Sequence, residues 1–141
     1  MLVCVIQLTY MWDDIKKYQD MYLEWSKVDD LNLEDKCKQV PSQKQFWSTR
    51  LFDAEKAKFK LERAKKTLKE QLTQEMLDKN PVTVNRVTLN KVDNSPKMEE
   101  LNAKIEEVEM LILALTYIVK NVTFIAQDMK NIIDSKKLNE I

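Results

Sequence analysis

The sequence predicts a mostly α-helical fold of long helices forming a homo-oligomeric helical assembly, with a short irregular or β-hairpin-like central connector. Three observations predict it. None of the 141 residues is glycine, which removes the usual occupant of tight turns, bulges and helix C-terminal positions. Charged residues make up 33% of the chain, a share typical of solvated helices. Finally, Met98, Leu101, Ile105, Val108, Ile112, Leu115, Val119, Val122, Ala126, Met129 and Ile133 follow one another at alternating spacings of three and four, which is the seam of a heptad repeat.

Residues 1–40 read as an N-terminal segment, partly helical and acidic. The opening MLVCVIQLTYMW is apolar but has no basic residue ahead of it and no small-residue cleavage pattern before Asp13, so it does not read as a signal peptide. Met11 is an alternative start, which would leave the first ten residues as an extension or a strand-like strip against a neighbour.

Residues 42–79 read as a basic amphipathic helix. VPSQKQ places Ser42 as N-cap with Gln45 three residues on, a capping box. Trp47, Leu51, Ala54, Leu61, Ala64, Leu68, Leu72 and Met76 then recur at helical spacing, and Asn80 with Pro81 ends the element. Residues 80–95 are a connector, and the stretch PVTVNRVTLNKVDNSP that runs from Pro81 to Pro96 is β-branched and partly alternating.

Ser95 and Pro96 open the last element, 96–141, in the order of a cap followed by a first-turn proline. Around its middle Leu111, Leu113, Ile118 and Ile125 widen the apolar stripe, so this helix meets more than one partner. Forty-odd helical residues span roughly 60 Å, whereas a compact domain of this size has a radius of gyration of about 14 Å. The element therefore either breaks near Asn121, Val122 and Thr123 or buries its seam against other copies of the chain. On the second alternative Leu101, Ile105, Val108, Ile112, Leu115, Val119, Val122, Met129 and Ile133 are the oligomerisation residues.

Composition excludes several function classes. Histidine is absent, which removes the usual neutral-pH general base and the commonest metal ligand. The pairs Asp13 with Asp14 and Asp29 with Asp30 read as solvated loops, so no catalytic activity, metal or cofactor is expected. Cys4 and Cys37 read as free thiols in a reducing compartment, the cytoplasm. The uncharged run from Met110 to Val119 is about half the ~20 residues of a membrane-spanning helix, so no membrane is expected.

Positive charge is unevenly placed. Residues 11–39 carry eight acids and five bases, residues 70–96 four and three, and residues 97–141 eight and six, but residues 43–69 carry three acids and nine bases. Uncompensated cations on a helix attract phosphates through counterion release, and Lys56, Lys58, Lys60, Arg63, Lys65 and Lys66 crowd this rod. Single-strand binders add rings on which bases stack. Of Phe46, Trp47, Phe52 and Phe59, Phe59 is the best stacking candidate because it interrupts the lysine run KAKFKLER and falls off the apolar register. A solvated face is the bland alternative for the same charges.

Order, spacing and length together carry a resemblance. EWSKVDDLNLEDKCKQVPSQKQFW, with its tryptophan, short acidic leucine-containing stretch, valine-proline and basic helix, resembles the N-terminal half of the UvsY family of recombination mediators of T-even-like phages. VKNVTFIAQDMKNI is similar to that family's closing helix, and the resemblance covers residues 20–137. It implies a ring-like homo-oligomer without catalytic activity, located in the host cytoplasm. Such an oligomer would bind single-stranded DNA coated by a single-strand-binding protein and help load a RecA-like recombinase. The family's basic motif falls on Glu62, Arg63, Ala64, Lys65 and Lys66, with the charged positions kept as Arg63 and Lys65 and both leucines replaced. Lys44 stands where the family has histidine, and Lys120 where members carry an arginine, which adds both to the expected strand-binding set. The rival expectation is a non-catalytic coiled-coil scaffold or assembly protein whose basic helix packs on the acidic surface of KMEELNAKIEEVE. A metal-dependent nuclease has only scattered carboxylates in its favour.

Overall fold

The computed structural model describes residues 2–29, 31–79 and 86–139, with side chains at 13–29, 31–79 and 89–139. Four helices follow in order: α1 (Leu2–Trp25), α2 (Leu33–Lys79), α3 (Arg86–Asp93) and α4 (Pro96–Asn139). The fold is mostly α, and the described residues include no strand. They divide into two compact units, Met1–Ala54 with Leu111–Ile141, and Glu55–Met110.

In the first unit α1 is helical from Leu2, so the strand-like reading of the first ten residues is corrected. A strand needs a neighbour to satisfy its amides, whereas a helix satisfies them within itself. At its end the Ser26 amide donates to the Tyr22 carbonyl at 2.8 Å, and Lys36 Nζ donates to the Trp25 carbonyl at 2.7 Å, a cation at a helix C-terminus. The turn that follows is built by two side chains. Asp29 Oδ1 accepts from the amides of Leu31 and Asn32, both at 2.9 Å, and Asn32 Oδ1 accepts from the Asp29 amide at 2.8 Å. Asp29 is therefore an exposed turn former, whereas Asp13 and Asp14 lie within α1 and not in the solvated loop expected of them.

α2 starts nine residues before the expected capping box. Its first turn carries Glu34 and Asp35, favourable at the positive end of the helix dipole, and Pro41 lies inside it. Ser42 therefore caps nothing. An interior proline costs about 3 kcal/mol and disfavours helix in the preceding residue. Burial offsets this: Leu33, Val40 and Trp47 enter one core with Tyr22, Trp25, Leu115, Ile118, Val122 and Met129, at about 1.5–3 kcal/mol for each large apolar side chain. Trp47 is 1% exposed and meets Tyr18 and Phe46 edge-on at 5.7 and 4.9 Å.

The second unit holds the rest of α2, then α3 and the start of α4. The connector is helical over Arg86–Asp93, which corrects the irregular or hairpin-like expectation there; residues 80–85 lie outside the described residues. Burial explains the difference. Val92 is fully buried, Asp93 pairs with Lys69 at 3.4 Å, and such contacts override a weak β preference. Ser95 caps α4, its Oγ accepting from the Met98 amide at 3.3 Å.

α4 is unbroken through Asn121, Val122 and Thr123, so the broken-helix alternative does not hold. Its seam faces the chain's own interior. Leu115, Val122 and Met129 are buried in the first unit, Met98, Ile105 and Val108 in the second, with Leu101, Ile112, Val119, Ala126 and Ile133 half-buried. α2 supplies a helix of comparable length, 47 residues against 44, a partner within the chain that the length of α4 alone does not reveal.

Two outcomes test these assignments. Pro41→Ala is expected to raise stability by about 1–3 kcal/mol, read from denaturant midpoints by circular dichroism. Burial, and then the neighbouring Tyr117, raise the Tyr22 phenol above its ordinary value of 10.0. Above that pH the unfolded chain loses this proton before the folded one, so the contribution is full below pH 10 and lost as pH rises through the folded value. Tyr22→Phe is expected to flatten the alkaline fall in melting temperature.

Candidate functional site

α2 presents two faces in the second unit, and helical geometry sorts its cations between them. At 100° per residue, spacings of three and four share a face while a spacing of two lands nearly opposite. Lys56, Phe59, Arg63 and Lys66 follow at three, four and three, with Lys60 beside them, and all five are exposed. Lys58 and Lys65 lie toward the packed side and are half-buried.

The two groups differ electrostatically. Lys58 Nζ lies 3.3 Å from Glu109 Oε1 on α4 and 4.0 Å from Glu62 Oε1. The pair is only partly shielded, at 34% and 49% side-chain exposure, so it contributes at most about 1 kcal/mol, but it takes Lys58 out of the free set. The acidic surface of residues 97–109 thus neutralises this one lysine of the rod. Lys69 is similarly held by Asp93. Among the described residues Lys56, Lys60, Arg63 and Lys66 make no ion pair.

The rings separate in the same way. Trp47 is core and Phe46 half-buried, whereas Phe59 is 60% and Phe52 64% exposed. The Arg63 guanidinium carbon lies 5.9 Å from the Phe59 ring centroid, within cation–π range. Arg50, counted among the nine bases of the rod, is a structural group. Its guanidinium sits 3.2 Å over the Phe46 ring and donates to the Phe46 carbonyl at 3.1 Å.

Two expected strand-binding residues lie in the first unit. Lys44 is exposed on α2. Lys120 is exposed on α4, 5.9 Å from the Phe124 ring centroid. The oligomerisation set Leu101, Ile105, Val108, Ile112, Leu115, Val119, Val122, Met129 and Ile133 is buried or half-buried within the chain. A different α4 face remains open, where Leu113, Tyr117 and Phe124 are exposed. The signal for it was the widened stripe: Leu113 falls off the seam, and Tyr117 and Phe124 stand four and eleven residues further along.

α4 also contains an 18-residue stretch of mean hydropathy 1.7, of which 22% is buried. By length and composition alone it could cross a membrane, since mean hydropathy admits the charges that an uncharged run does not. Among the described residues no group of three or more acids or cysteines is placed to hold a metal. A cleft of about 350 Å³ between the start of α2 and the end of α4 is lined by Glu34 and Asp35 facing Lys136 and Lys137, charges of both signs in balance.

Comparison of the chain with known protein families, with curated proteins and with solved structures finds no match.

Proposed function

We propose that this protein is a non-catalytic, cytoplasmic accessory factor that binds single-stranded DNA along α2. One observation carries the reading: Lys56, Lys60, Arg63 and Lys66 stand exposed around an exposed Phe59, without a carboxylate partner among the described residues. Phosphates answer such a surface by counterion release, and ring-bearing cationic tracks suit unpaired strands. Lys44 and Lys120 are exposed cations of the other unit. No cofactor or metal enters this reading.

The further step, a homo-oligomer that loads a RecA-like recombinase onto strand coated by a single-strand-binding protein, rests on the resemblance to the UvsY family. Repetition of the patch in an oligomer multiplies weak single contacts into avid binding. With the α4 seam used inside the chain, self-association falls to the outer residues Leu113, Tyr117 and Phe124. That same exposed apolar face favours the second reading, a coiled-coil scaffold without nucleic acid.

Labelled oligo-dT separates the two. About four phosphate contacts per chain give a salt slope near −3, roughly a 60-fold loss of affinity between 50 and 200 mM salt. Lys60→Ala with Arg63→Ala is expected to reduce that slope by about 1.4, whereas Lys58→Ala, which removes a paired cation, is expected to leave it unchanged. Absence of binding at low salt favours the scaffold. Tyr117→Glu with Phe124→Glu is expected to lower the particle mass in light scattering without loss of helical signal; an unchanged mass removes that face from assembly.

A further inference from the structure

We infer that Phe59, braced by Arg63 one turn on, is the seat for a single unpaired base, and that this ring makes the α2 surface selective for single strand over duplex and over a bare phosphate chain. The inference rests on the DNA reading of α2 and specifies how the strand is recognised.

α2 sends Trp47 and Ala54 into a core, but holds Phe59 60% exposed between cations that pack nothing over it. Its one described ring contact is the Arg63 guanidinium at 5.9 Å. An arginine at that distance steadies the ring without covering its outer face, and keeps its own donors free for a phosphate.

Lys56 and Lys66 stand ten residues apart, about 15 Å along the helix, with Phe59, Lys60 and Arg63 between them. Phosphates held by these cations bring the intervening bases to the ring. In a duplex those bases are paired and stacked inside, and only the backbone reaches the protein. A phosphate chain without bases offers the ring nothing. Charge therefore sets the dependence on salt, and the ring sets the preference for an unpaired strand.

Three probes of equal length test this in the full-length protein: oligo-dT, an oligomer of abasic sites, and a duplex. Wild type is expected to bind oligo-dT about 5- to 150-fold more tightly than the abasic oligomer, the range of one base stack, with duplex also weaker. Phe59→Ala is expected to lose that margin for oligo-dT, keep the salt slope and keep the helical signal, because the side chain lies outside the core. Phe59→Trp is expected to restore the margin. Equal binding of oligo-dT and abasic oligomer by wild type overturns the stacking seat and leaves the DNA reading standing. No binding of any probe at low salt overturns both. A fall in particle mass on Phe59→Ala assigns the ring to contact between copies of the chain and overturns the seat as well.

Discussion

The apolar line along α4 is covered from within the chain, and the character of the other surfaces follows from that. Leu115, Val122 and Met129 close on Trp25, Leu33, Val40 and Trp47 in the first unit, and Met98, Ile105 and Val108 are buried in the second. A helix can turn only part of its circumference inward. In the second unit α2 turns Ala57, Leu61 and Leu68 to its packed side, the opposite register goes to water, and Lys56, Phe59, Arg63 and Lys66 occupy it. The position of the cations is thus a consequence of packing.

The same constraint explains how α2 passes through Pro41. A local rule ends or starts a helix at proline because the ring removes an amide and crowds the preceding turn. Here the residues on either side, Val40 and Trp47, belong to one buried set, and the helix that continues through the proline keeps both in it. The loss of one hydrogen bond is smaller than the loss of two large buried side chains.

Some of this was legible in the sequence and some was not, for identifiable reasons. The 3–4 spacing of α4 identified which side chains face inward, because periodicity reports a face. It did not identify what covers that face, since a partner in the same chain and one in a second copy leave the same pattern. Ser42 and Gln45 satisfied a capping rule that tertiary burial overrode, while the solvated loop expected at Asp29 is the exposed Asp29 and Asn32 turn that does precede α2. Within the basic rod, Phe59 was separable from the core because it fell off the apolar register. Helical spacing also puts Lys58 and Lys65 on a different flank from Lys56, Lys60 and Arg63, but it does not say which flank is packed or that Glu109 meets Lys58 there.

The outward face of α2 has a standing electrostatic cost. Lys56 with Lys60 at a spacing of four, and Arg63 with Lys66 at three, are like-charge neighbours, each destabilising an isolated helix by about 0.2–0.5 kcal/mol. Of the nearby acids, Glu62 and Glu109 attend to Lys58 and Asp93 to Lys69, and no ion pair among the described residues reaches these four cations. The helix carries this repulsion because its inward face is held by apolar burial, which salt does not screen and which is indifferent to the sign of the charges outside. A polyanion laid along the outer face removes the repulsion at the moment it adds its own attraction. The packing that fixes the cations in place is therefore also what keeps their mutual repulsion available to a ligand of opposite charge.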